Sequence, residues 1–307
     1  MALWSHAQPA FPSKPVTLVV PTAAGGTTDL SARMLAQALS PVLGQSIVVD
    51  NKGGGNGNIA ANQVKRAPAD GYTLLMQYSG YHVISPHVTR QKQWDLSDFQ
   101  AVANVISAPQ IIVVRVDLPV KNLDELIAYA KANPGKLNYA SSGNGSLQHV
   151  TGAMLEQQAG IKMVHVPYKG TGPALQDLLA GQVDLTFGTA PPFMPHIAVG
   201  KLRVLAVTSK DRLSSLPQVP TTAEAGYPKV NATSWFAVFA PAAMPKAVVD
   251  KLTADIQQVV RSAAFVQKAQ EQGATADYLN PSQLSERVNA EFKTWQSVVQ
   301  SSKIEAE

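Results

Sequence analysis

One pattern recurs three times along this chain of 307 residues: a short apolar strand, a loop of small residues, and the start of a helix. The loops span residues 23–28, 141–146 and 169–172. Strands that alternate with helices predict an α/β fold in which neighbouring strands are mostly parallel. The carboxyl ends of such strands share one edge of a sheet, so two facing sheets could bring the three loops together. The pattern therefore predicts two α/β lobes with a site between them.

The first of these loops has the features of an anion site. The apolar run 18–20 predicts a buried strand, and the periodic apolar residues within 30–39 predict one face of a helix. Residues 27–29 suit the N-cap and first turn of that helix. Gly25 and Gly26 let the backbone approach a guest, and first-turn N–H groups at the positive end of the helix dipole attract anions. A carboxylate is the natural guest.

The composition excludes several classes of function. With 45% hydrophobic and 15% charged residues, the chain is typical of a packed globular protein. Its formal net charge of +4 comes without a run of Lys and Arg, so no nucleic-acid partner is predicted. There is no cysteine for thiol chemistry and the 6 histidines are scattered, so neither a metal nor another cofactor is predicted. No apolar run approaches the ~18 residues that span a bilayer.

The length predicts two lobes, because single cores stop growing near ~250–300 residues. We assign residues 8–107 together with 233–307 to lobe 1, and residues 108–232 to lobe 2. The chain would then cross between the lobes twice, near 107–110 and near 230–234. These two crossings are the predicted hinge.

The N-terminus suggests export. An apolar start is followed by Ser5-His6-Ala7, the small-x-small pattern that signal peptidase reads. We interpret residues 1–7 as the remnant of a signal peptide, with the mature chain beginning near Gln8.

Residues 55–60 match the dinucleotide-binding pattern G-x-G-x-x-A. A true fingerprint follows the first strand, and an acidic residue ends the next strand. Here the next predicted strand, 72–77, is followed by Tyr78 and Ser79 rather than by a carboxylate. The glycines are therefore interpreted as a tight turn, and no nucleotide cofactor is predicted.

Hydrolysis is the enzymatic alternative. Ser141, Ser142 and His149 lie near one another in the sequence, and Asp184 is a candidate for the acid that would orient the histidine. However, the nucleophile elbow G-x-S-x-G occurs nowhere in the chain, and Asp184 lies within an apolar strand. We therefore predict a binding protein and not an enzyme.

Polar residues around the three loops supply hydrogen-bond donors for an anion, and aromatic residues follow the strand 72–77, where open α/β sheets hold their ligands. The donors are Thr27, Thr28, Ser141, Ser142, Asn144, Ser146 and Thr171, with His149 in the next helical turn, and the residues after the strand are Tyr78, Tyr81 and His82.

Longer motifs connect these features: KPVTLVVP (14–21), GGTTD (25–29), NKGGGNG (51–57), PADGY (68–72), YASSG (139–143), VPYKG (166–170) and GKLRVLAV (200–207). Together they resemble the Bug family of bacterial periplasmic solute-binding proteins, the TctC-like receptors of tripartite tricarboxylate transporters. The similarity covers essentially the whole mature chain.

The resemblance implies a two-lobed, type II-like Venus-flytrap fold, each lobe a mostly parallel sheet flanked by helices. It also implies that two loops hold a ligand carboxylate. On this chain they are 23–28, with Ala24, Gly25 and Gly26, and 141–146. A monomer in the periplasm that serves the membrane components of such a transporter is expected. A periplasmic carboxylate sensor or hydrolase that uses the same cleft is the alternative.

One departure from the family pattern follows the strand that contains Asp184. Relatives often have an acidic residue there, whereas this chain has Gly188 and Thr189, with Phe193 nearby. Loss of the acid removes repulsion toward a second carboxylate and leaves room for an apolar body. We therefore predict an aromatic mono- or dicarboxylate ligand, such as terephthalate, between Phe193 and residues 78–81. Citrate-like and other aliphatic acids stay open.

Overall fold

A computed structural model describes residues 11–90 and 93–301 of the chain, so the predicted signal-peptide remnant at 1–7 lies outside the described residues. The first half contains β1 (Val16–Val20), α1 (Thr27–Leu43), β2 (Ile47–Asn51), α2 (Asn58–Lys65), β3 (Thr73–Tyr78), β4 (Phe99–Arg115), α3 (Leu123–Ala132), β5 (Asn138–Ser141) and α4 (Leu147–Ala159). The second half contains β6 (Val164–Pro167), α5 (Thr171–Leu179), β7 (Leu185–Thr189), α6 (Met194–Ala198), β8 (Leu202–Val207), β9 (Thr233–Pro241), α7 (Lys246–Val260), α8 (Ala263–Glu271), β10 (Thr275–Leu279) and α9 (Pro281–Ser301). Short 3-10 turns lie at Gly55–Gly57, Ser85–His87 and Leu96–Asp98, and a π-helical segment at Gly80–Ile84.

The long strand β4 joins two halves of one connected sheet. The order is β2-β1-β3-β9-β4-β7-β5-β6, with β8 and β10 also paired to β4. We call β1–β3, β9, β10 and the first part of β4, with their helices, lobe 1, and the second part of β4 with β5–β8 and their helices, lobe 2. The fold is thus the two-lobed α/β architecture that the sequence predicted. The residue boundaries assigned to each lobe stay a prediction.

The apolar runs 101–106 and 110–115 do not form two separate strands. Both belong to β4, a single strand of 17 residues. Ser107, Ala108 and Pro109 between them continue to pair with Trp235, Ser234 and Thr233 of β9. Because this pairing keeps the backbone extended, the chain passes from one lobe to the other without a turn.

The strand directions refine the expectation of mostly parallel sheets. Each lobe has a parallel group of three strands, β2-β1-β3 in lobe 1 and β6-β5-β7 in lobe 2. The strands β4, β8, β9 and β10 add antiparallel pairs. The chain leaves lobe 1 along β4 and returns along β9, so these two neighbours must run in opposite directions. Each lobe therefore has a mixed sheet.

Alternate residues of β4 build the core of lobe 2 on both faces of the sheet. Ile112 and Val114 pack in the cluster that contains Phe187, whereas Ile111 and Val113 pack in the cluster that contains Phe193. Each of these side chains is fully buried, which stabilises a fold by about 1.5–3 kcal/mol per side chain. Since helices cover both faces, the strand ends are left as the place for a site.

Candidate functional site

A small cavity lies where the crossing strands pass between the lobes. Most of the residues that line it carry a hydroxyl or an amide group, and none of the described lining residues is charged. The lining residues are Thr22, Gly26, Thr27, Thr28, Tyr78, Gln110, Ser142, Gln148, Thr171, Thr189 and Phe236. The arrangement offers many neutral hydrogen-bond donors and no counter-ion.

The N-terminus of α1 opens on this cavity from lobe 1. Its N-cap is Gly26, so no side chain caps the first turn. The acidic residue of that turn, Asp29, is engaged elsewhere: its carboxylate accepts the Gly25 N–H at 3.0 Å and forms an ion pair with Arg33 at 3.0 Å. Backbone N–H groups and the positive pole of a helix of 17 residues are therefore offered to the cavity.

The N-terminus of α5 opens on the same cavity from lobe 2. Its N-cap is Gly170, again without a side-chain cap, and the φ angle of 132° at Gly170 requires glycine. A Cβ atom built on Gly26 would lie 3.5 Å from the backbone nitrogen of Thr171, so the two helix ends face each other at close range. Two positive poles in contact repel unless an anion lies beside them.

The N-terminus of α4 is different, because the protein itself occupies its donors. The Ser146 hydroxyl accepts the His149 N–H at 3.3 Å, and the Leu147 N–H donates to the Tyr78 hydroxyl at 2.8 Å. Ser146 is wholly buried as this cap and does not line the cavity. Of the loop 141–146, only Ser142 reaches the cavity wall.

A hydrogen-bond network around Gln148 links the two lobes through the cavity wall. The Gln148 carbonyl oxygen accepts from the Tyr78 hydroxyl at 3.0 Å and from the Ser142 hydroxyl at 2.7 Å, and its amide nitrogen donates to Thr171 Oγ1 at 3.2 Å. On the other side of the cavity Thr27 Oγ1 lies 2.6 Å from Thr189 Oγ1. The contacts of Tyr78 with Gln148 and of Thr27 with Thr189 each join lobe 1 to lobe 2, so the cleft is closed.

Tyr78 in this wall and Tyr81, which packs against it, are neutral donors. Burial raises the pKa of Tyr81 to about 12, and its hydroxyl donates to the Ser142 carbonyl oxygen of the other lobe. Burial also raises the pKa of Tyr78, against the opposing effect of the Leu147 N–H. Neither phenol carries a negative charge that would repel an anionic ligand.

The structure brings together part of the residue set that the sequence singled out. Seven of the predicted ligand residues line the cavity: Gly26, Thr27, Thr28, Tyr78, Ser142, Thr171 and Thr189. Their contact with a ligand stays a prediction. Ala24 and Gly25 are exposed and Asn144 is half-buried, and none of these three is among the lining residues.

The expected roles of His82, Gly188 and Phe193 in ligand binding need correction. His82 is buried among Trp94, Phe99, Trp235 and Phe239, and burial lowers its pKa to about 3. Phe193 is fully buried in the core of lobe 2, and a Cβ on Gly188 would lie 2.5 Å from its ring. The glycine therefore makes room for a core phenylalanine rather than for a ligand. The strand alternation explains this, because Thr189 and not Gly188 faces the cavity.

Ser141 and His149 support the loop 141–146 from behind rather than line the cavity. Ser141 Oγ lies 2.6 Å from His165 Nε2, and the Gly145 N–H donates to His149 Nδ1 at 3.1 Å. The two imidazole rings stack at 3.9 Å with 3° between their planes. Burial lowers the pKa of His149 to about 4 and that of His165 to about 3, so both rings are neutral.

Four lining residues were missed from the sequence: Thr22, Gln110, Gln148 and Phe236. Thr22 adjoins the first loop. Gln148 lies in the first turn of α4, and a Gln at the start of a helix that follows a Gly-rich loop is a usable signal. Gln110 and Phe236 lie on the crossing strands β4 and β9. No sequence pattern places them at the cavity, because only the crossing of the two strands brings them there.

The fold and this site define a two-lobed solute-binding protein. The family model described as "Tripartite tricarboxylate transporter family receptor" matches residues 31–304, and the chain belongs to this family. In the described part of the chain no helix is long and apolar enough to cross a membrane.

Solved structures agree with this assignment. The chain is 38% identical to R. palustris Rpa4515, described with adipate, with a TM-score of 0.94 over 97% of this chain and 100% of that one. It is 36% identical to the periplasmic binding protein BugD, with a TM-score of 0.92 over 97% and 100% of the two chains. It is 31% identical to MatC from Rhodopseudomonas palustris, described with bound malate, with a TM-score of 0.89 over 94% and 100%. The family is one of transporter receptors and BugD is a periplasmic binding protein, which confirms the prediction that the chain is not an enzyme.

Proposed function

We propose that this protein captures a small dicarboxylate in the cavity between its lobes and delivers it, in the periplasm, to the membrane components of a tripartite tricarboxylate transporter. The observation that carries the proposal is the convergence of two uncapped helix N-termini, those of α1 and α5, on a cavity without charged walls. Membership of the receptor family supports delivery, and the periplasmic neighbour BugD supports the location. A monomer suffices, because one chain supplies both walls of the cavity.

The N-termini of α1 and α5 favour an anion in the cavity, although no charged side chain is among the described residues that line it. Each carries roughly half a positive charge, and N–H groups that bond a charged acceptor contribute about 1.5–3 kcal/mol each. A carboxylate between Gly26 and Thr171 would accept from both lobes and stabilise the closed cleft. The formal net charge of +4 favours the approach of anions over a longer range.

The lining of the cavity favours an aliphatic ligand. Two neighbours are described with adipate and with malate, both of them aliphatic dicarboxylates. The aromatic prediction placed a ring between Phe193 and residues 78–81. Phe193 lies outside the lining, whereas Tyr78 and Phe236 are the aromatic residues that line the cavity. Malate and adipate are therefore the leading candidates, and terephthalate is the alternative for the test.

The ligand is expected to close the lobes on a hinge formed by β4 and β9. Several contacts depend on closure, among them the Ala23 N–H donating to the Lys169 carbonyl at 3.0 Å. Small-angle scattering should show a smaller radius of gyration with ligand than without it. An unchanged radius, with binding shown separately, would point to a rigid receptor.

Titration calorimetry on the full chain tests the proposal. Malate, succinate, adipate and terephthalate are compared with succinamide, which has the size of succinate and no charge. We expect at least one aliphatic dicarboxylate to bind and succinamide not to bind. Comparable affinity for succinate and succinamide would overturn the anion site, and binding of terephthalate alone would restore the aromatic prediction.

A further inference from the structure

One buried acceptor stands out among the donors of the cavity. Gln110 lies on β4, where the strand crosses between the lobes, and only 1% of it is exposed. Its amide nitrogen donates to Ser234 Oγ on β9 at 2.9 Å. Its amide oxygen has no hydrogen-bond partner, although the residue lines the cavity.

The hydrogen bond to Ser234 sets the orientation of the amide. Because the amide nitrogen of Gln110 donates to Ser234 Oγ, its carbonyl oxygen is left to face the cavity that the residue lines. The amide oxygen of Gln110 is therefore an acceptor without a partner in the wall of the cavity.

A carboxylate oxygen cannot satisfy that acceptor, since both are acceptors and would repel. A ligand group must donate to it. An ammonium group would enter a cavity whose described lining has no acidic side chain, and its charge would stay uncompensated. A neutral hydroxyl meets the requirement, and the second unpartnered atom of the lining, Thr22 Oγ1, can either donate or accept.

We infer that Gln110 is a specificity-determining residue that selects dicarboxylates bearing a hydroxyl group over plain dicarboxylates of the same length. The inference rests on the proposed function, because it requires a carboxylate at the helix ends. Gln110 accepts a hydrogen bond from the ligand hydroxyl, and the N-termini of α1 and α5 bind the carboxylate. A fixed acceptor on one wall of the cavity also distinguishes the two enantiomers of a hydroxy acid.

The test is calorimetry of wild type and Gln110→Met with succinate, L-malate, D-malate and L-aspartate. A single neutral hydrogen bond in a buried site corresponds to about a three- to tenfold difference in affinity. Wild type should bind one malate enantiomer three- to tenfold more tightly than succinate, and aspartate more weakly than that malate. In Gln110→Met, which keeps length and removes the acceptor, the ratio of malate to succinate should fall to about one.

Gln100→Met is the matched control, because it makes the same change on the same strand, in lobe 1 and outside the cavity lining. It should keep the wild-type ratio. Equal affinity of wild type for succinate and both malates, or a ratio that survives in Gln110→Met, overturns the inference while leaving the carboxylate site intact. Preference for aspartate would assign the donor as an ammonium group and also overturn it. If no dicarboxylate binds, the proposed function fails instead.

Discussion

The loops before α1, α4 and α5 all combine glycine with hydroxyl residues and all follow a strand. The helices that they precede differ in whether a side chain caps the first turn. The N-terminus of α4 is closed by Ser146 and by the Tyr78 hydroxyl. The N-termini of α1 and α5 have glycine as N-cap and no side-chain cap. The N-cap residue thus decides whether the positive pole of a helix serves the fold or is offered to a ligand.

The strongest test of this difference prevents α5 from meeting α1. A Cβ on Gly172 would overlap the Ala24 carbonyl oxygen of the other lobe, and backbone cannot rotate away. Overpacking of this kind costs about 3 kcal/mol, or about 100-fold in affinity. We expect Gly172→Ala to weaken dicarboxylate binding about 100-fold in calorimetry. The melting temperature should hold or rise, because alanine favours helices over glycine.

The matched variant is Gly188→Ala, whose added Cβ meets the Phe193 ring within lobe 2. It should lower the melting temperature, since the overlap occurs in the core whether the cleft is open or closed. If Gly172→Ala binds as tightly as wild type, the two helix ends do not meet in the ligand-bound protein.

Removal of one backbone donor from α1 should have the next largest effect. Thr27→Pro deletes an N–H at the first helical position, where proline fits, and Gly26 before it is already extended at φ −89° and ψ 169°. A lost charge-assisted hydrogen bond corresponds to about 1.5–3 kcal/mol, or about 10- to 100-fold weaker binding. Thr27→Ala keeps the N–H and removes only the hydroxyl, so it should lose much less. Equal losses in the two variants would assign the effect to the side chain.

Acid should weaken the support behind the loop 141–146. The pKa values of His149 and His165 are lowered to about 4 and about 3, mainly by burial, against about 6.5 in the unfolded chain. Below pH 6.5 the unfolded state binds more protons than the folded state. The free energy of unfolding is therefore highest above pH 6.5 and falls as the pH drops toward 4 and 3.

Denaturant unfolding between pH 7 and pH 4 measures this loss. The free energy of unfolding should fall steadily. His165→Gln should flatten this dependence without abolishing it, because His149 and His82 are still buried with lowered pKa values. A wild-type profile that is flat over this range would contradict the buried neutral pair.

The smallest effect is expected at the capped helix. Ser146→Ala removes the N-cap of α4 and should cost about 1 kcal/mol of stability, seen as a melting temperature lower by about 2–4 °C. The affinity for dicarboxylates should change less than twofold. A tenfold loss of affinity with unchanged stability would show that the N-terminus of α4 also binds the ligand, which contradicts the proposed difference between α4 and α1.

Local sequence determined the elements and the class of site. Apolar runs and periodic apolar positions predicted β1, α1, β5, α4 and α5, and the glycines before α1 marked a helix end that a guest can approach. These features are short-range, because a strand, a turn and a cap each depend on a few neighbouring residues. The motifs were also sufficient to indicate the family that the family model shows.

Tertiary structure alone decided which of the predicted residues face the cavity. Strand register turned Thr189 toward it and Gly188 toward Phe193, and a one-residue change would have exchanged them. The crossing of β4 and β9 placed Gln110 and Phe236 on the floor of the cavity, although they are 126 positions apart in the chain (236 minus 110). Likewise, the hydroxyl of Tyr78 satisfies α4 only because the two lobes meet. Such contacts depend on how the two lobes pack, and no local pattern encodes that packing.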